Sequence, residues 1–151
     1  MRKFSRDWTA GYASPNPGAD AAGLELLDQA GKVLSIEWEQ IKWVCYVRDL
    51  AGGDERLLHR KFTVRPRAAG LWLRMTLQDG DELEGLAAND RSLIDGAGLL
   101  LTPPDTRSNT QRIFVPRAAI QTLEVVSLIG AAARKRHPAE PQPELFANES
   151  E

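Results

Sequence analysis

The sequence predicts an all-β fold built around one small, strongly bent barrel. Three observations carry that expectation. Apolar residues alternate with polar ones from Leu71 to Gln78. An Asp79-Gly80 pair follows at once, with a second short strand pattern behind it. The stretch then closes on RIFVPRAAIQTLEVV, where a proline separates two further β-type runs.

In order, Leu71, Leu73, Met75 and Leu77 fall on one side of an extended chain, opposite Trp72, Arg74, Thr76 and Gln78. This is the period of a half-buried strand; a helix would scatter those apolar residues around its circumference. Asp79-Gly80 predicts a two-residue hairpin of type I′, which needs positive φ at both central positions. Glu82 to Ala87 is the return strand, and Gly85 inside it predicts a bulge or bend. Asn89 to Gly98 reads as a polar loop. Leu99 to Leu101 is a third strand, closed by Pro103-Pro104. Asp105 to Thr110 is a second loop, rich in Ser, Thr, Asn and Asp. Arg112 to Val115 is a fourth strand, stopped by Pro116, which has no N–H for a ladder. Pro116 to Ala119 suits a single 3-10 turn. Gln121 to Val126 is a fifth strand, with Leu123 and Val125 inward and Glu124 outward.

Five short strands with one 3-10 turn before the last give the layout of an SH3-like barrel. The LxxxDGxxLEGxL opening and the IxVPxxxIxxLEVV closing also resemble Sm-like barrels, a likeness that implies RNA binding. The pieces GLWLRMTLQDGDELEGLAANDRSLIDG and LTPPDTRSNTQRIFVPRAAI resemble a bacterial domain family of unknown function over roughly residues 24–127. That resemblance implies a cytosolic, non-enzymatic domain.

At 151 residues, 42% hydrophobic and 26% charged, the chain is long enough for one modest core or two very small ones. The net charge of −2 gives no global attraction to nucleic acid or anionic membrane. Cys45 is alone, which excludes an internal disulfide and a cysteine-based metal site. The N-terminus lacks an apolar run suited to a signal peptide, and no run approaches the ~20 residues a membrane helix needs. A cytoplasmic location is the expectation.

Residues 1–22, rich in Gly, Ala, Ser and Pro, read as a flexible arm whose Phe4, Trp8 and Tyr12 dock on the domain or hold a partner. Residues 23–50 form a half-size β unit that repeats the logic of 71–128. Aligning Gly31 with Gly80 puts Leu34 on Leu83. Aligning Ile36 with Val115 puts Ile41 on Ile120, Val44 on Leu123 and Val47 on Val126. The two copies differ by an insertion between Ala87 and Arg112. A duplicated strand–turn–strand–3-10–strand unit accounts for both registers. Both faces of IKWVCYV (residues 41–47) are largely apolar, which fits a strand covered on both sides. Trp43, Cys45 and Val47 therefore pack on the barrel or form a homodimer interface.

Residues 51–70 connect the two units. From Arg56 to Gln78 there are six Lys and Arg and no acidic residue. These cations pair with Asp79, Asp81, Glu82 and Glu84, or stand ready for an anion. Residues 129–151, with three prolines among charges, read as a disordered tail.

Catalysis needs convergent groups, and none are spaced for it. His59 and His137 have no metal-type partner, and no phosphate-binding or nucleophile motif is present. Neither an enzyme nor a cofactor is expected. The binding reading rests on Arg60, Arg65 and Arg67 of the connection, Asn89, Asp90 and Ser92 of the first loop, and Arg107, Asn109 and Arg112 of the second. Placed together, these would hold a small anionic ligand. The order of the arginines and of Asp90-x-Ser92 with Gly96 resembles PilZ domains, which implies a cyclic dinucleotide, though each spacing is off by a residue or more. RNA ranks lower, because only Trp72 and Phe114 offer stacking platforms. The competing reading is a ligand-free interaction protein that assembles through the Trp43 strand as a homodimer or adaptor.

Overall fold

The computed structural model describes residues 1–15, 22–51, 60–105 and 107–130. The fold is all-β, with ten strands and three single 3-10 turns among the described residues. The strands are β1 (Arg2–Lys3), β2 (Gly11–Tyr12), β3 (Gly23–Asp28), β4 (Val33–Glu37), β5 (Ile41–Val47), β6 (Gly70–Leu77), β7 (Glu82–Ala87), β8 (Gly98–Thr102), β9 (Thr110–Pro116) and β10 (Ile120–Ile129). One sheet of seven strands runs β1-β5-β9-β8-β7-β6-β10, and a second of three runs β2-β3-β4. Every pairing is antiparallel.

The five expected strands of the core stretch are all present, and β10 returns to lie beside β6. The hairpins show why the two halves match. Leu77 N–H donates to Asp81 O (2.8 Å) and Gly80 N–H to Leu77 O (2.9 Å). In the first unit Asp28 N–H donates to Lys32 O (2.9 Å) and Gly31 N–H to Asp28 O (3.1 Å). These are the same bonds at equivalent residues. Gly31 and Gly80 have φ of +82° and +86°, whereas Asp79 is not among the residues with positive φ. The turn is therefore a three-residue loop ending in a left-handed glycine, and the type I′ expectation is corrected. The 3-10 turns Trp38–Gln40 and Arg117–Ala119 also fall at equivalent places, ahead of β5 and β10.

Gly85 does not mark a bulge. It pairs in register with Leu73, and no register shift interrupts β6 and β7. A Cβ there would lie 2.9 Å from Leu101 Cβ and 3.2 Å from Thr102 O. The glycine is needed because β8 comes so close.

The first unit is more than packed on the second. Its β5 leaves the β3–β4 hairpin and takes the edge of β9, with Val44 opposite Phe114 and Cys45 opposite Ile113. Both faces of this strand are used. Trp43 enters one core with Leu73, Met75, Leu77, Leu83, Leu101, Ile113 and Val115. Val44 enters a second core with Leu24, Leu26, Ile36, Trp38 and Phe114. The N-terminal stretch, read as a loose arm, supplies β1 against β5 and β2 against β3. Met1 is buried in the second core, and Phe4 packs against the first. Strands of two residues have too few positions to show a period, so the sequence pattern could not reveal them.

Candidate functional site

The residues expected to hold an anion are not gathered at one place. β8 separates the two polar loops: the first ends where it starts, the second begins where it ends. They lie at opposite ends of a five-residue strand, so the two loops are not placed together as the anion-binding reading requires. Most of their polar groups are also spent locally. Asp90 accepts from Ser92 N–H (2.8 Å) and caps a 3-10 turn; the Ser92 hydroxyl first, and this N–H with it, hold its carboxyl below the usual range. Asn109 clamps the end of the first unit, accepting from Asp49 N–H (3.1 Å) and donating to Asp49 O (2.8 Å). Arg112 donates to Thr102 Oγ1 (2.8 Å), and Arg107 N–H donates to Asp105 Oδ1 (3.0 Å). Asn89 is exposed. Arg117, which the sequence reading passed over as part of a turn, donates to the carbonyls of Leu93, Asp95 and Gly96 and fixes the first loop.

Two cations of the basic connection are paired by the acidic hairpin. Arg60 donates to Asp81 Oδ2 (3.0 Å) and Lys61 pairs with Glu82. Lys42, buried at 2% exposure, pairs with both Asp79 and Asp81. The Lys42 ammonium holds the Asp81 carboxyl below its usual range against the opposing effect of burial, with Arg60 adding to it. The Lys42 ammonium and the guanidinium groups of Arg2 and Arg60 surround the Trp43 ring, with closest centroid distance 4.8 Å. Among the described residues Glu84 is the most enclosed acid. Its carboxylate accepts from Phe62 N–H (3.0 Å), Trp72 Nε1 (3.1 Å) and Arg74 Nε (2.9 Å). Burial pushes its pKa up, and these three donors outweigh it, so the net shift is downward. Arg65 and Arg67 remain exposed on either side of buried Pro66.

Among the clefts of the described residues, two lie beside elements already named. One of about 380 Å³ lies between residues 10–13 and the end of β5, lined by Tyr12, Cys45, Tyr46 and Arg48. Tyr46 Oη donates to Ser14 O (2.7 Å) across it, and burial pushes the phenol pKa up. The other, about 280 Å³, lies where Lys61–Val64 meets Pro104 and Asp105. Among the described residues no group of His, Cys, Asp or Glu is arranged to hold a metal, and no helix is long and apolar enough to cross a membrane.

Of the two readings of the Trp43 strand, packing within the chain is the one its geometry follows, with β5 paired to β9 and both faces in cores. Trp43 is 1% exposed, and Cys45 and Val47 are half-buried. The chain folds its own first core around the Trp43 ring, whose indole N–H finds no acceptor there. The uncovered apolar face belongs instead to β10, the counterpart of β5. Leu123, Val125 and Leu128 stand opposite Met75, Leu73 and Leu71, on the face of the sheet that builds the core. Met75 and Leu73 are 1% exposed, yet Leu123 is 46% exposed and Val125 and Leu128 are each 57% exposed. The core face runs past β6 onto the edge strand and is left open there. Leu123 and Val125 face inward as expected; the burial expected with that does not follow.

A model described as a family of unknown function (DUF6982) matches residues 1–127. The chain belongs to that family. The match takes in both units and all of β1 to β9, with β10 as far as Ser127. No curated protein and no solved structure matches the chain.

Proposed function

We propose that this chain is a non-catalytic interaction module that holds a protein partner along β10. The supporting observation is an edge strand of ten residues whose core-side residues Leu123, Val125 and Leu128 are exposed. Edge strands are usually kept short, charged, or broken by proline. β10 has one charged residue, Glu124, and no proline. A chain laid along it would gain main-chain hydrogen bonds and an apolar floor together. The test compares the tagged parent with Val125→Arg in pull-downs from the source extract. Proteins held by the parent and released by the variant are expected. An identical retained set would contradict the reading.

A second reading, an anionic ligand that includes cyclic dinucleotides, is favoured by the cleft at Lys61–Val64 and the exposed Arg65 and Arg67 beside it. It is weakened by the commitment of Arg60 to Asp81. Calorimetry with cyclic di-GMP tests it, with Arg65→Ala/Arg67→Ala as control: heat lost in the control supports it, and no heat with the parent removes it. RNA binding ranks below both, because Phe114 is buried against Trp38 and Trp72 is tied to Glu84.

A further inference from the structure

We infer that the partner on β10 is a second copy of this chain, paired antiparallel about a two-fold axis near Val125 and Val126. This rests on the interaction reading above and names its occupant.

The two edges of the large sheet are unequal. One edge is β1, two residues long, with Arg2 bridged to Trp8. The other is β10, five times its length and open along its outer side. The duplicated strands differ in the same way: β5, the counterpart of β10, has a neighbour on each side, β1 and β9. Val44 of β5 is 4% exposed, whereas its counterpart Leu123 is 46% exposed. The same strand pattern is covered in one unit and bare in the other.

β10 is also self-complementary. The pairing of β10 with β6 shifts register between Val125 and Ser127, so the inner face passes from Leu123 and Val125 to Leu128. A two-fold antiparallel pairing that sets Leu123 opposite Leu128 of the second copy matches inner face to inner face throughout. It also sets Glu124 opposite Ser127, Thr122 opposite Ile129, and Val125 beside Val126. Apolar meets apolar on the core side, and no like charges stand opposite each other. A register centred on Glu124 would oppose two carboxylates.

Other occupants fit less well. The segment after Gly130 carries Pro138, Pro141 and Pro143, each without an N–H to donate, which makes its sequence a poor ladder partner. β4, at the edge of the small sheet, is five residues long, half the length of β10, and pairing to it would not close into a dimer.

Sedimentation of the full chain over a wide concentration range provides the test. The expected species is a dimer of twice 16.7 kDa. Leu123→Glu and Leu128→Lys should each weaken self-association by roughly tenfold or more. Mixed together they should recover a one-to-one heterodimer, since the new Glu and Lys face each other in the stated register. Both sites are exposed, so unchanged melting of each variant shows that folding is intact. A monomer at every concentration overturns the proposal, as does a dimer that neither variant weakens. Assemblies beyond the dimer overturn the two-fold axis, and failure of the mixture to pair overturns the register. The extract comparison with Val125→Arg separates the two levels. Variant-sensitive retention of other proteins by a monomeric chain leaves the interaction reading standing without the dimer.

Discussion

Replacing Glu84 tests the account of how the acidic hairpin holds the basic connection. The carboxylate is 3% exposed and meets three donors, two neutral and one charged. In Glu84→Gln one oxygen can keep Phe62 N–H and Trp72 Nε1, which share Oε2. The amide nitrogen then points at Arg74 Nε, and the charged bond is lost. A hydrogen bond to a charged group contributes about 1.5–3 kcal/mol. Arg74 is 41% exposed and can turn to water, so the lower half of that range applies, about 2 kcal/mol. Glu84→Ala also strands the two neutral donors, at about 1–3 kcal/mol each, and should cost about 4 kcal/mol or more. Urea unfolding at neutral pH measures both. Near 150 residues the Gln variant should melt roughly 5–8 °C below the parent. The acid limb gives a second reading. Glu84 and Asp81 have pKa values below those of free carboxyls. The unfolded chain therefore takes up protons first as pH falls, and their contribution, full at neutral pH, fades from about pH 4 downward. Glu84→Gln should show a shallower loss of stability over that range. A variant within about 0.5 kcal/mol of the parent, with an unchanged acid slope, would refute the reasoning.

Three further outcomes follow from the same geometry. Gly85→Val should cost on the order of 2 kcal/mol or more, because its side chain must displace Leu101 or the β8 backbone; melting with the parent would contradict that contact. Gly31→Ala and Gly80→Ala should each cost about 1 kcal/mol, since both residues are left-handed with open space around them, and unequal costs would argue against equivalent turns. Lys42→Met should be tolerated far better than Asp79→Asn/Asp81→Asn. The first leaves two carboxylates that are over a third exposed, whereas the second strands a buried ammonium at roughly 3 kcal/mol or more; denaturant midpoints that rank the other way would refute the assignment.

Much of the fold could be read from the sequence because it is local. Alternation at Leu71–Leu77, the glycine turns and Pro116 each act over a few residues, and the duplication registers matched real hydrogen bonds at Gly31 and Gly80. What could not be read is long-range. Lys42 sits in an apolar strand with nothing nearby to announce that Asp79 and Asp81 would reach it. The two polar loops share a composition but not an end of the sheet, because a strand alternation carries no record of which loops it separates. Leu123 and Val125 show the same limit at the candidate surface. Period two tells which face a residue takes, whereas cover on that face depends on neighbours that alternation does not encode.

Hydrogen exchange of the β10 amides tests the central claim most directly. Amides of Leu123 to Leu128 that point away from β6 should exchange slowly in concentrated protein and quickly on dilution, while β6 stays protected throughout. Fast exchange of those amides at every concentration, with no partner added, would contradict a second copy on this edge.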